Sequence, residues 1–161
     1  MKRFFLTLLI LTSFSYRSIS QNKTIEGSLY IKLIDVQNLF DELSEEQLNQ
    51  INQYIDNPNT ILSDEENKLT NHYKFLLQTK LLKKPHFKLK MNSGEIVNVY
   101  TDETEYLKLK NKLTGFDKYE QQINVIFKGM KKSDGFFDEA LYYANQITSV
   151  EKITGETDWK K

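Results

Sequence analysis

Alternation of hydrophobic and polar residues along this chain predicts five β-strands. Such alternation at every second position is the pattern of a half-buried strand. In the first strand, Leu29, Ile31 and Leu33 fall on one face. The second and third flank Asn92-Ser93-Gly94, whose turn residues predict a β-hairpin. The predicted strands are 24–36, 87–91, 97–99, 123–130 and about 141–153.

Apolar residues spaced three and four apart predict three helices. The first begins after Ser44 and the second after Ser63. Each serine starts a capping box, in which its side chain and a Gln or Glu three residues later bond to each other's backbone. The third begins at Asp102 and has Gly115 placed to end it. The first two helices lie within about 41–84, where we expect a helical hairpin.

The predicted order is strand, two helices, two strands, helix, two strands. This is the order of an OB-fold, a five-stranded Greek-key barrel. We therefore expect an α+β fold with a small antiparallel β-barrel and a helical-hairpin insertion after strand 1. The alternative is an α+β sandwich with helices on one face of an antiparallel sheet. The predicted core comprises Leu29, Ile31, Leu33, Phe87, Leu89, Val97, Val99, Leu109, Val125, Phe127 and Ile147.

The N-terminus has the pattern of an export signal. Lys2-Arg3 precede the apolar run Phe4–Phe14, and Ser18-Ile19-Ser20 fits a peptidase site. The run is shorter than the roughly 20 apolar residues of a membrane span. We expect residues 1–20 to be a cleaved signal peptide. Residues 21–161 would form a single globular domain, periplasmic or secreted, with no span after cleavage.

Composition excludes several classes of function. The chain has no cysteine, so disulfides, thiolate metal sites and thiol catalysis are ruled out. Its 22 basic residues balance its 22 acidic ones, but cleavage would remove Lys2, Arg3 and Arg17 and leave a net charge of −3. Dedicated nucleic-acid-binding domains are usually basic. We therefore expect no nucleic-acid partner.

Residues able to carry catalysis are present, but no catalytic or metal-binding motif connects them. His72 and His86 are the two histidines of the chain, and neither has a partner at metal or catalytic spacing. Acidic clusters fall in the first turns of predicted helices, where they favour the positive end of the helix dipole. We expect no catalytic residue, no metal and no cofactor. The alternative is a small hydrolase acting on an envelope polymer through Asp and Glu.

The best candidates for binding are on the predicted hairpin and in the turn that follows strand 4. If Phe87 and Leu89 point inward, then Lys88, Lys90 and Tyr100 share the outer face. The helical hairpin would cover the other side, and the turn would form a rim. The predicted binding residues are Lys88, Lys90, Tyr100, Lys131, Lys132, Phe136 and Phe137.

Two interpretations of this surface compete. Aromatic and cationic side chains together supply contact area and long-range attraction. We therefore expect a monomeric, non-catalytic binding or interaction module of the bacterial envelope, whose partner is an envelope protein or a glycan. In the alternative interpretation, the strand face is merely solvated. Phe137 and Tyr143 would then enter the core while Phe136 and Tyr142 cover the sheet edge.

Overall fold

The computed structural model describes residues 22–30, 43–57, 59–117, 120–137 and 139–154. In these residues the fold is α+β, with a five-stranded mixed sheet that closes in a ring and three helices. The predicted signal peptide, Ile31 and Leu33 lie outside the described residues. Among the described residues, no helix has the length and apolar composition that crossing a membrane would require.

Every strand and helix predicted from the sequence has a counterpart in the structure. The elements are β1 (Lys23–Leu29), α1 (Glu45–Asp56), α2 (Asp64–Gln78), β2 (His86–Met91), β3 (Ile96–Thr101), α3 (Glu103–Leu113), β4 (Gln121–Ser133) and β5 (Leu141–Thr154). The predicted turn joins β2 to β3, and Gly94 has the positive φ of 86° that a glycine tolerates there.

The ring has the strand order β1-β2-β3-β5-β4, and β4 pairs back onto β1. Four of these pairs are antiparallel, whereas β3 and β5 run parallel. Neighbouring strands cannot all alternate in direction around a ring with an odd number of strands. At least one parallel pair is therefore required, and the prediction of an antiparallel sheet was wrong at the β3–β5 junction.

Both predicted capping boxes are present. The Ser44 hydroxyl accepts a hydrogen bond from the Gln47 amide at 3.2 Å, and Ser63 does the same for Glu66 at 3.3 Å. In return, the side chains of Gln47 and Glu66 accept from the two serine amides. These bonds satisfy amide groups that the first turn of a helix leaves without partners.

The buried residues form two clusters. The first fills the ring and contains every predicted core residue that the structure describes. Those residues are Leu29, Phe87, Leu89, Val97, Val99, Leu109, Val125, Phe127 and Ile147. The second cluster lies between the helical hairpin and the sheet, and its buried members are Ile51, Tyr73, Leu76, Leu81, Tyr100 and Leu141. The sequence did not predict this second cluster, which sets the position of the site described next.

Candidate functional site: an aromatic rim beside helix α2

The helical hairpin packs on part of the β3 face that was predicted to be open. Tyr100 lies on the side of β3 opposite the inward-facing Val99, as expected, but it is only 3% exposed. It belongs to the same buried cluster as Leu76 of α2 and stacks on His86 at 5.0 Å. This burial raises the pKa of Tyr100. The prediction of an accessible Tyr100 was therefore wrong, because the hairpin covers this face and not the other side.

Lys88, on the same face, forms an intramolecular ion pair with Glu139. The Lys88 ammonium lies 2.6 Å from Oε2 of Glu139, and the Asn98 side-chain amide donates to the same oxygen at 2.7 Å. The Lys88 and Glu139 side chains are only 18% and 28% exposed. This contact attaches the segment before β5 to the β2–β3 hairpin. Lys90, further along β2, is partly exposed.

The turn between β4 and β5 packs its two phenylalanines against α2. The Phe136 ring stacks on His72 with centroids 5.2 Å apart and an interplanar angle of 12°. Phe75 approaches Phe136 at 5.5 Å, and Phe137 approaches His72 at 5.8 Å. We call these four residues the aromatic rim. Of them, Phe137 keeps the most accessible ring, at 44% exposure, whereas Phe136 is half-buried.

The alternative assignment of the two phenylalanines is wrong. That interpretation placed Phe137 in the core and left Phe136 at the edge of the sheet. Instead, Phe136 packs against the second buried cluster and Phe137 faces solvent. The Phe136 ring packs against His72 and Phe75 of α2, and no sequence pattern had placed that helix beside this turn.

His72 gives the rim an uncharged centre at neutral pH. Burial and, to a smaller extent, the proximity of His86 together lower the pKa of His72 from 6.5 to about 4. A neutral imidazole stacks on aromatic rings without the cost of removing a charge from water. The rim is therefore an apolar contact surface in the pH range in which most proteins bind their partners.

The two predicted lysines at the end of β4 differ in their surroundings. Lys131 forms an ion pair with Asp134 at 2.7 Å, and both side chains are exposed. This pairing raises the pKa of Lys131 and lowers that of Asp134. The Lys132 ammonium instead lies 5.7 Å from the ring centroid of Tyr143, within the range of a cation–π interaction.

A hydrolase acting through Asp and Glu requires a pair of carboxylates in one cleft. Such a pair places two carboxylates in one cleft with their pKa values pushed apart. A surface cavity of about 460 Å³ lies between α3 and β5, but Glu151 is the one carboxylate in its lining. In the described residues, no group of three His, Asp or Glu side chains could hold a metal ion. The lining of this cavity therefore does not supply the pair of carboxylates.

Several residues of the site were missed because their roles depend on distant parts of the chain. His72 and Phe75 have the spacing of one side of a helix, but their neighbours in space follow them by some sixty residues. Lys84, Asp102 and Tyr143 also come together from three separate segments.

Comparisons of this chain with protein-family models, curated proteins and solved structures found no match.

Proposed function

We propose that this protein is an exported, non-catalytic binding module of the bacterial envelope. In this proposal the aromatic rim binds an envelope protein or a glycan. The observation that carries it is the exposed ring of Phe137 beside the stacked pair of His72 and Phe136. Aromatic residues, phenylalanine among them, are enriched in the cores of protein–protein interfaces. Because the His72 ring packs against Phe137 with centroids 5.8 Å apart, ordering the Phe137 side chain on binding would cost little entropy.

The proposed OB-like topology gives the rim a place in a known mode of binding. In OB-folds, the face of strands 2 and 3 and the loops L12 and L45 bind the ligand. Here the α1–α2 hairpin lies in the connection that follows β1, and the 134–140 turn joins β4 to β5. The rim lies where these two connections touch. We infer that binding has moved from the strand face, which the hairpin partly covers, to this contact.

Export is supported by the leader pattern of Lys2-Arg3 and Phe4–Phe14. The absence of cysteine is compatible with passage through an oxidising compartment, because no thiol would be oxidised there. We propose that the mature protein acts outside the cytoplasm.

The test is partner capture with the secreted protein and two single variants. When produced with its own leader, the mature protein should have an intact mass that begins at Gln21. Phe137→Ala should abolish capture of an envelope protein or glycan, with circular dichroism and melting unchanged. Leu107→Ala on α3 is the matched control, because Leu107 is 43% exposed and is not part of the rim. Equal capture by both variants would contradict the rim, and a mass that includes Met1–Ser20 would contradict export.

A further inference from the structure

Two lysines from distant parts of the chain approach the same aromatic ring. Lys84, just before β2, and Lys132, at the end of β4, each place the ammonium 5.7 Å from the ring centroid of Tyr143. The Tyr143 hydroxyl donates to Oδ2 of Asp102 at 2.9 Å, and Lys84 forms an ion pair with Oδ1 of the same carboxylate. A tyrosine, two cations and one carboxylate thus form a single cluster.

The cluster has an excess of positive charge. Among the described carboxylates, Asp102 contacts both Tyr143 and Lys84, and its pairing with Lys84 holds the pKa of Asp102 below its usual range. Lys132 is exposed, and in the described part of the chain no carboxylate lies within ion-pair distance of it. Lys83, next to Lys84, is also exposed. This local surplus contrasts with the net charge of −3 expected for the mature chain.

We propose that Lys132 and Lys84, held around the Tyr143 ring, form a binding site for a phosphate group. The inference rests on the proposed binding function and names one chemical group that the partner would present. Phosphate oxygens accept strong charge-assisted hydrogen bonds from ammonium groups. Contact with the aromatic ring limits the freedom of both lysine side chains, so less entropy is lost when the anion binds.

Asp102 allows a test in which a substitution should strengthen phosphate binding, as a complement to substitutions that should weaken it. Its carboxylate repels an incoming anion and competes with it for Lys84. Removing that charge should therefore tighten phosphate binding, which a purely structural role of the cluster would not produce. Asp102 precedes α3, but its side chain makes no capping hydrogen bond to the helix. Asp102→Asn should therefore change the charge without removing a helix cap.

The experiment is an NMR titration of the mature protein at constant ionic strength, followed through the amides of Lys132 and Tyr143. The probes are inorganic phosphate, which is a free anion, and glycerol phosphate, which is an ester like the phosphate at the end of a polymer. Saturable binding of either probe supports the site, and the tighter one indicates its source. Binding of neither overturns the proposal. This titration needs no partner, so its failure is distinguishable from failure of Phe137→Ala to abolish capture.

Three variants complete the test. Lys132→Met keeps the length of the side chain and should raise the dissociation constant about tenfold, as expected for loss of a hydrogen bond to a charged group. Lys128→Met changes another exposed lysine of β4 and should change the constant less than about twofold. Asp102→Asn should lower it. Equal effects of the two lysine variants, or weaker binding by Asp102→Asn, would overturn the proposal.

Discussion

At the scale of single residues, His72 lies in surroundings that differ strongly from those of a histidine in water. It lies against the rings of Phe136 and Phe137, and burial lowers its pKa from 6.5 to about 4. The sequence indicated only an ordinary structural or surface histidine in a helix. The turn that removes His72 from water lies more than sixty residues further along the chain, so no pattern near His72 predicts the contact.

His72 should make the protein less stable in mild acid. Its folded-state pKa is below its unfolded value, so the unfolded state binds the proton more readily. The effect is absent above about pH 6.5 and grows as the pH falls toward 4. Fully developed, a pKa change of this size corresponds to about 3.4 kcal/mol. Because the His72 ring is only partly buried, solvent screening should reduce the loss to about 2–3 kcal/mol. Denaturant unfolding at pH 7, 6, 5 and 4 measures it.

The histidine responsible is identified by substitution. His72→Phe keeps an aromatic ring in the stack and removes the titrating group, so its unfolding free energy should fall less between pH 7 and pH 4 than that of the wild type. His86→Phe is the comparison, since His86 also stacks on an aromatic ring, that of Tyr100. A wild-type acid dependence in His72→Phe would show that another group is responsible.

At the scale of elements, the two helices of the hairpin begin where the sequence predicts. Their capping boxes involve residues only three positions apart, so the information that sets each helix start is local. The docking of the hairpin is not local. It depends on Tyr100 and Leu141, which follow α2 in the chain and join the same buried cluster. Propensity and capping patterns do not report such contacts.

Loss of one cap should weaken the hairpin measurably. Ser63→Ala removes the oxygen that accepts from the Glu66 amide and should cost about 1 kcal/mol of unfolding free energy. Ser63→Asn supplies a neutral acceptor at the same position, without repelling the Glu66 carboxylate that the Ser63 hydroxyl contacts, and should recover most of that loss. Thermal and urea unfolding of the two variants make the comparison. If Ser63→Ala matched the wild type, the capping box would add nothing to stability.

The sequence pattern predicted which side chains point away from the sheet, but not which other segments pack against them. The turn after β4 was expected to carry exposed residues, and Phe137, Lys131 and Lys132 are exposed there. Tyr100 was misassigned because alternation along a strand indicates which face a residue occupies but not what covers that face. Lys88 points away from the core of the ring as expected, yet its ammonium pairs with Glu139 of the same chain and is not available to a partner in this arrangement.

At the scale of the whole molecule, closing the sheet imposes a constraint that no single strand carries. The sequence predicted five strands, but it did not predict the parallel pairing of β3 with β5. Joining an odd number of strands in a ring requires at least one parallel pair, and in this ring that pair is β3 with β5. The first and last strands of the chain, β1 and β5, do not pair with each other. Strand β4 lies between them and pairs with both.

Gly129 allows β4 to make both of these pairings. It lies opposite Lys23 of β1 and Ala144 of β5, next to a shift in the β4–β5 register. A Cβ atom at this position would come closest to the Tyr143 carbonyl oxygen and would lie 2.8 Å from Cε2 of Phe127. The carbonyl belongs to the backbone of β5, so it cannot rotate away as a flexible side chain could.

Gly129→Ala should therefore destabilise the whole ring. We expect a loss on the order of 1–3 kcal/mol, as for other substitutions that force atoms into a well-packed interior. Lys128→Ala is the control, because Lys128 is the preceding residue of β4 and is exposed; it should change the unfolding free energy by less than about 0.5 kcal/mol. Amide hydrogen exchange should also accelerate in both β1 and β5, since the two junctions share this residue. Unchanged exchange in both strands, with a loss no larger than that of Lys128→Ala, would show that β4 accommodates a side chain here.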